Sequence, residues 1–258
     1  MSTGPVLGAS LRSDPDRELI WFRRPRGRRG PEPTLSREQI TRAAVELADA
    51  EGFDAVSMRR LASKLNAGAT SLYWHVSSKD DLHELMVDDV IGEIPLPEAS
   101  GDWKADLRGI ARATYETCSA HRWIVLLGIQ PGLGPKTRRF GQAALEAFDP
   151  LGTDLSTRVN VLAVLNNYIF GFIHRAIAWQ QLRERSGLSE EQWAVRLRTY
   201  LTEAGSQDPE LAEHMAERFA LVDRESFEFG LDCLLDGIAA RLASRNPSPP
   251  TSPPRRSV

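Results

Sequence analysis

The 258-residue chain carries 41% hydrophobic and 26% charged side chains, enough to bury a sizeable core in one compact body or two small domains. Its longest apolar stretch, residues 161–173, is interrupted by Asn166, Asn167 and Gly171 and falls short of the roughly 18 residues of a membrane span; the first 19 residues hold no continuous apolar signal core, so a cytoplasmic chain with no membrane partner is expected. Net charge is −3, yet residues 21–79 hold 11 Lys/Arg against 6 Asp/Glu while residues 80–258 hold 19 against 26, which points to a polyanionic partner for the first part alone.

Residues 1–33 have little apolar periodicity, and their WFRRPRGRRGPEP segment reads as a flexible basic arm. Ser36 then caps a helix in which Ile40, Ala44, Leu47 and Ala48 keep helical spacing until Gly52. Ser57 caps a short second helix with Met58, Leu61, Ala62 and Leu65 on one face. Asn66, Ala67 and Gly68 break the chain before a third short helix, whose Ala69, Leu72 and Val76 turn inward. Ser77 and Ser78 open a fourth, with Leu82, Leu85, Met86 and Val90, that runs to Pro95. After a linker, helices are expected over roughly 102–119, 124–128, 136–148, 154–185, 189–204, 209–222 and 224–244. Two carry long apolar stripes, Val159, Leu162, Asn166, Ile169, Ile173, Ile177 and Phe227, Leu231, Leu234, Ile238, Leu242, which need partners. A four-helix seam between two copies of the chain would supply them. Cys118 and Cys233 fall in apolar-periodic segments and read as small buried side chains, and the Pro/Ser-rich residues 246–258 as a disordered tail.

Two short helices parted by three residues, braced by a helix on each side, have the layout of a helix-turn-helix DNA-binding unit. With Leu72 inward, rotation of about 100° per residue turns Thr70, Ser71, Tyr73 and Trp74 outward and leaves His75 at the margin. Hydroxyls and aromatic edges suit a major groove, and Lys79 can neutralise a phosphate. The same aromatic triplet could instead pack on a neighbouring domain.

Over residues 36–94, MRRLASKLNAGATSLYWHVSSKDDL resembles the N-terminal domain of the tetracycline-repressor (TetR) family. The resemblance implies a homodimeric transcriptional regulator, usually a repressor, that leaves double-stranded operator DNA when a small-molecule effector enters its C-terminal domain. By position, the implied DNA contacts are Arg59, Ala69, Thr70, Ser71, Tyr73, His75 and Lys79. Arg28 and Arg29 of the arm are added as phosphate or minor-groove contacts. The fold expected is all-α, with residues 34–95 as a three-helix helix-turn-helix DNA-binding domain and 101–245 as a larger helical domain for effector binding and dimerisation.

The effector side is expected to use Trp103, His121, Trp123, Asn166, Asn167, Phe170 and His174, a mostly apolar set with few polar handles. A wet cavity and a polar patch at a dimer seam both explain the Asn166, Asn167 and His174 group. His121 and Arg122 resemble a His-Arg pair of the tetracycline repressor, but the apolar WIVLLGI that follows lacks that repressor's metal-ligating histidine. An uncharged or weakly polar amphipathic ligand without metal or other cofactor is expected. Cys118 and His121 lie three residues apart, yet no oxyanion loop, third orienting residue, nucleophile elbow or phosphate loop accompanies them, so no catalytic residue is assigned. The rival readings are a helical enzyme using the same cavity and an interaction module that binds no DNA.

Overall fold

The computed structural model describes residues 20–22, 35–97, 99–127, 132–203, 210 and 224–245. Arg28 and Arg29, most of the basic arm, the helix expected over 209–222 and the C-terminal tail lie outside the described residues. Among the described residues there are ten α-helices and no strand. The chain divides into two compact units, Met1–Val222 and Asp223–Val258.

Helix α1, Arg37–Glu51, begins on a reciprocal cap: the Ser36 hydroxyl accepts from the Gln39 N–H, and the Gln39 side chain accepts from the Ser36 N–H. Two donors that the helix start would leave unpaired are satisfied together. Gly52, at φ 87°, ends it. Helices α2, Met58–Lys64, and α4, Lys79–Ile91, have simple one-way caps: the Ser57 hydroxyl accepts from the Arg60 N–H and the Ser78 hydroxyl from the Asp81 N–H. Between them α3, Ala69–His75, follows a turn in which Asn66 takes a left-handed φ of 49°, a conformation Asn tolerates better than most residues. Ile40, Leu61, Leu72, Val76 and Met86 are fully buried and form the core of this domain. Only Leu72 is buried on α3, and Ala69, expected to face inward, is exposed. As the first residue of its helix, Ala69 has no preceding turn to cover it.

The arm is attached before it reaches the domain. Residues 20–22 form a turn in which Ile20 is buried, the Trp21 indole donates to Glu84 at 3.2 Å, and the Ile20 carbonyl accepts from Arg37 at 3.4 Å. An apolar residue and an indole in an otherwise basic segment find cover on α1 and α4, which departs from the wholly free arm that composition predicts.

The second layer starts with α5, Trp103–Ala120, capped by Asp102. It continues with the short α6, Arg122–Leu126, then α7, Pro135–Glu146, and α8, Leu155–Ser186, capped by Asp154. Helix α9, Glu190–Glu203, follows. Helix α8 has 32 residues, about 48 Å of rise, and packs on α5, α6 and α7. Its buried line is Val161, Leu165, Ile169, Phe172, Ile173 and Ile177. That line replaces the first half of the expected stripe, because Val159 is half exposed and Val161 and Leu165 take the inward positions. The opposite face leaves Val164, Asn167, Gly171, His174, Ala178 and Leu182 exposed. By length and composition alone α8 could cross a membrane. The second unit contains α10, Arg224–Arg245. Its Phe227, Leu231 and Leu235 are buried, Leu234, Ile238 and Leu242 are half-buried, and Cys233, expected to be buried, is exposed.

Candidate DNA interface and ligand cavity

The outer surface of the helix-turn-helix has the side chains a groove would need. Tyr73 and Trp74 are 51% and 57% exposed, an unusual cost for aromatic rings unless something covers them. Thr70 and Ser71 are exposed beside them, and His75 is half-buried. Among the described residues, the packing alternative for the aromatic triplet is therefore not realised for Tyr73 and Trp74. Arg37, which sequence reasoning passed over, donates from Nε to the His75 carbonyl at 2.9 Å and so pins the end of α3. On α2, Arg60 Nη2 donates to both carboxylate oxygens of Glu51 at 2.6 and 2.7 Å and Lys64 pairs with Glu46 at 2.9 Å. Arg59 is exposed and makes no such pair among the described residues, so its guanidinium stays available. Lys79, at the start of α4, sits 5.6 Å over the Phe53 ring.

At the other end of α4 lies a cavity of about 300 Å³. Val87 and Ile91 of α4 form one wall, and α5, α6, α7 and α8, with the segments between them, supply the rest through residues such as Thr114, Ile124, Phe140, Asn166 and Phe170. Among the described residues, no lining side chain is ionisable; the polar groups are Thr114, Thr137 and Asn166. The Thr114 hydroxyl is buried without a hydrogen-bond partner among the described residues, a cost of about 1–3 kcal/mol that an entering acceptor or donor would relieve. Thr114 and Thr137 escape sequence reasoning because neither stands out from the helices that carry it.

Of the residues expected in the cavity, the structure brings together Asn166 and Phe170. Asn167 and His174 lie on the exposed face of α8, since one residue of rotation carries Asn167 about 100° away from Asn166. Trp103 opens α5 and lines no part of the cavity. His121 and Trp123 are elsewhere too. His121 donates from Nδ1 to Asp49 at 2.9 Å and from Nε2 to Glu93 at 3.0 Å, while Trp123 donates to Asp49 at 2.8 Å. Asp49 lies in the last turn of α1 and Glu93 follows α4, so both His121 and Trp123 bridge the DNA-binding domain to the layer behind it. They were drawn there because two acceptors wait in the first domain for donors from the second.

Residues 40–86 match "Bacterial regulatory proteins, tetR family" and residues 94–242 match "Tetracyclin repressor-like, C-terminal domain". The chain belongs to the TetR family. It is 33% identical over 235 residues to the HTH-type transcriptional repressor DrrR1 of Streptomyces coeruleorubidus, covering 88% of this chain and 86% of that one. To the tetracycline repressor protein class A from transposon 1721 of Escherichia coli it is 27% identical over 220 residues, 82% of this chain and 94% of that one. Among solved structures, the Streptomyces coelicolor TetR family protein ActR in complex with actinorhodin matches with a TM-score of 0.69 at 28% identity, over 81% of this chain and 97% of that one. As a TetR family member the protein is a ligand-responsive, DNA-binding transcriptional regulator, and the all-α architecture with an N-terminal helix-turn-helix is the one the sequence predicts.

Two ties join the halves of this TetR-family chain, the first partly exposed and the second buried. The imidazole of His121 donates from both nitrogens, which requires its protonated form. Burial opposes that charge, but the hydrogen bonds and charges of Asp49 and Glu93 outweigh it and raise the pKa above the ordinary value. The second tie is Asp88 on α4, which is buried and caps the start of α7. It accepts from the Lys136 N–H at 3.3 Å, the Thr137 N–H at 2.8 Å and the Thr137 hydroxyl at 2.9 Å. Gly134 makes room for it: a Cβ there would lie 2.1 Å from the Asp88 carboxyl.

Proposed function

We propose that the protein is a cytoplasmic, homodimeric repressor that leaves its operator when a small, uncharged or weakly polar amphipathic molecule enters the cavity. The observation that carries this reading is that α4 alone bears Lys79 beside the DNA face at one end and Val87 and Ile91 in the cavity wall at the other. A ligand that displaces that wall moves the helix-turn-helix with it. In this reading Arg59 forks onto a guanine, Thr70, Ser71, Tyr73 and His75 meet bases and backbone, Ala69 offers a methyl to thymine, and Lys79 pairs with a phosphate. Arg28 and Arg29 add salt-sensitive affinity.

The ligand class follows from the lining. With two threonine hydroxyls and one asparagine amide among apolar walls, the cavity suits a flat, largely apolar molecule with a few oxygen handles. ActR, whose structures include complexes with actinorhodin and (S)-DNPA, supports a polyketide-like compound. Octahedral magnesium needs oxygen or imidazole ligands in fixed positions, and the described lining supplies neither carboxylate nor imidazole, so a magnesium chelate fits poorly. The exposed face of α8 and the half-buried Leu234, Ile238 and Leu242 of α10 supply apolar surface for a second protomer. No catalytic role is assigned, and the relatives being transcriptional regulators favours this over an enzyme.

The test is to select operator DNA from a random pool and add aromatic polyketides in the presence of a chelator. Release of the DNA is expected. Release only by tetracycline with magnesium, or no selected DNA at all, would overturn the reading.

A further inference from the structure

A second cleft, of about 240 Å³, shares no residue with the cavity described above. It lies where α5, the start of α6, α8 and α9 meet. Its chemistry is the reverse of the cavity's. Arg122 and Arg183 are both in the lining and no carboxylate is, while Tyr115, Trp179 and Trp193 provide three aromatic rings. Charge and flat apolar surface are thus concentrated together in one small concavity.

The present partners of the two arginines are weak ones. Arg122 donates to the Gln180 side-chain oxygen, a neutral acceptor, and the Gln180 amide in turn donates to Glu184 at 2.7 Å. Arg183 stands 3.4 Å from Glu190, whose side chain is 67% exposed, a distance and exposure at which an ion pair contributes little. Guanidinium groups bind planar carboxylates through paired charge-assisted hydrogen bonds that are roughly twice as strong as neutral ones. A carboxylate entering the cleft would replace an amide and a screened glutamate with a bidentate anion in a partly dry site. Indole faces stack on flat rings and on guanidinium planes. Trp179 and Trp193 are half-buried, so each leaves part of its ring for a guest. The size limits the guest to one or two rings, because pockets for larger ligands occupy about 300–1,000 Å³.

We propose that this cleft is a second small-molecule site, selective for a small planar aromatic carboxylate and independent of the cavity that takes the neutral ligand. Arg122 and Arg183 bind the carboxylate, and Trp179 and Trp193 hold the ring. Two ligands of opposite character could then address the same protein without competing.

Isothermal titration of the full chain with indole-3-carboxylate, beside its neutral carboxamide, tests this. One carboxylate per chain is expected, with the carboxamide at least tenfold weaker. Arg122→Gln and Arg183→Gln, each checked for unchanged helicity, should each weaken the carboxylate tenfold or more, and Trp193→Ala should do so for both probes. Asn166→Ala, in the other cavity, should leave this binding alone. No binding at millimolar probe, equal binding of the two probes, or loss in Asn166→Ala with retention in both arginine variants would overturn the proposal.

Discussion

Arg59 and Arg60 are neighbours with opposite fates. Arg60 is spent on Glu51 within its own domain, whereas Arg59 is exposed without such a pair among the described residues and is the one proposed to meet DNA. Arg59→Ala and Tyr73→Ala are expected to abolish specific operator binding while leaving helicity intact, each lost base contact costing about 1–3 kcal/mol. Arg60→Ala should change operator affinity far less, since an exposed ion pair contributes at most about 1 kcal/mol of stability. Mobility-shift titrations of the three variants check this, and equal loss in all of them would remove the distinction.

Two histidines set the pH response, with opposite signs. His83 packs against Phe53 with ring centroids 4.4 Å apart and the planes tilted by 53°. Burial, with Lys79 nearby, pushes its pKa down to about 4 from 6.5. As pH falls through that window the unfolded chain takes up a proton that the native one refuses, so stability drops from about pH 6.5 towards 4. His121 has a raised pKa; its stabilising contribution is complete below the unfolded value of 6.5 and is lost as pH rises through the higher folded value. Chemical denaturation at a series of pH values should show His83→Gln flattening the acid limb and His121→Gln flattening the limb above pH 6.5.

At the scale of elements, what was legible in the sequence is what is local. Ser36, Ser57 and Ser78 announce helix starts within four residues of the groups they cap, and Gly52 and Asn66 mark the breaks. The phase of α8 was not legible in its first half, because apolar residues stand on two faces of that helix: Val161 and Leu165 turn inward while Val159 and Val164 do not. A helix with two apolar faces has no single inward direction until its neighbours are placed. Nor could spacing reveal that His121 would find Asp49, 72 positions away, and Glu93, 28 positions away. The cap on α7 is equally non-local, and it is open to direct test. Asp88→Ala should leave the Lys136 and Thr137 N–H groups unpaired, and Gly134→Ala should drive a methyl into the carboxyl. Each is expected to destabilise the chain by about 1–3 kcal/mol, read as a lower thermal midpoint. Retention of the wild-type midpoint by both variants would mean that the cap carries no strain.

For the whole molecule, the exposed line of Val164, Gly171, Ala178 and Leu182 on α8 is the face that a second protomer would cover in the proposed dimer. Small residues in such a line let a second helix approach closely, and the flanking Asn167 and His174 can pair across it. Val164→Glu and Ile238→Glu are expected to convert a dimer to monomers in sedimentation equilibrium, since a charge at a packed seam is left without solvent. Soluble dimers from both would place the seam elsewhere.

The two ties between the halves have a consequence for transplanting one half onto another. A graft that exchanges the first 95 or so residues between relatives would appear to cut at a bare linker, and each half would keep its own helices. Asp49, Asp88 and Glu93 would leave with the donor, however, while His121, Trp123 and Thr137 stayed behind. Such a hybrid should still read the donor's operator but ignore the host's inducer, unless those three carboxylates face their matching donors. Restoring only Asp49, Asp88 and Glu93 in a relative that lacks them should return induction without altering operator preference.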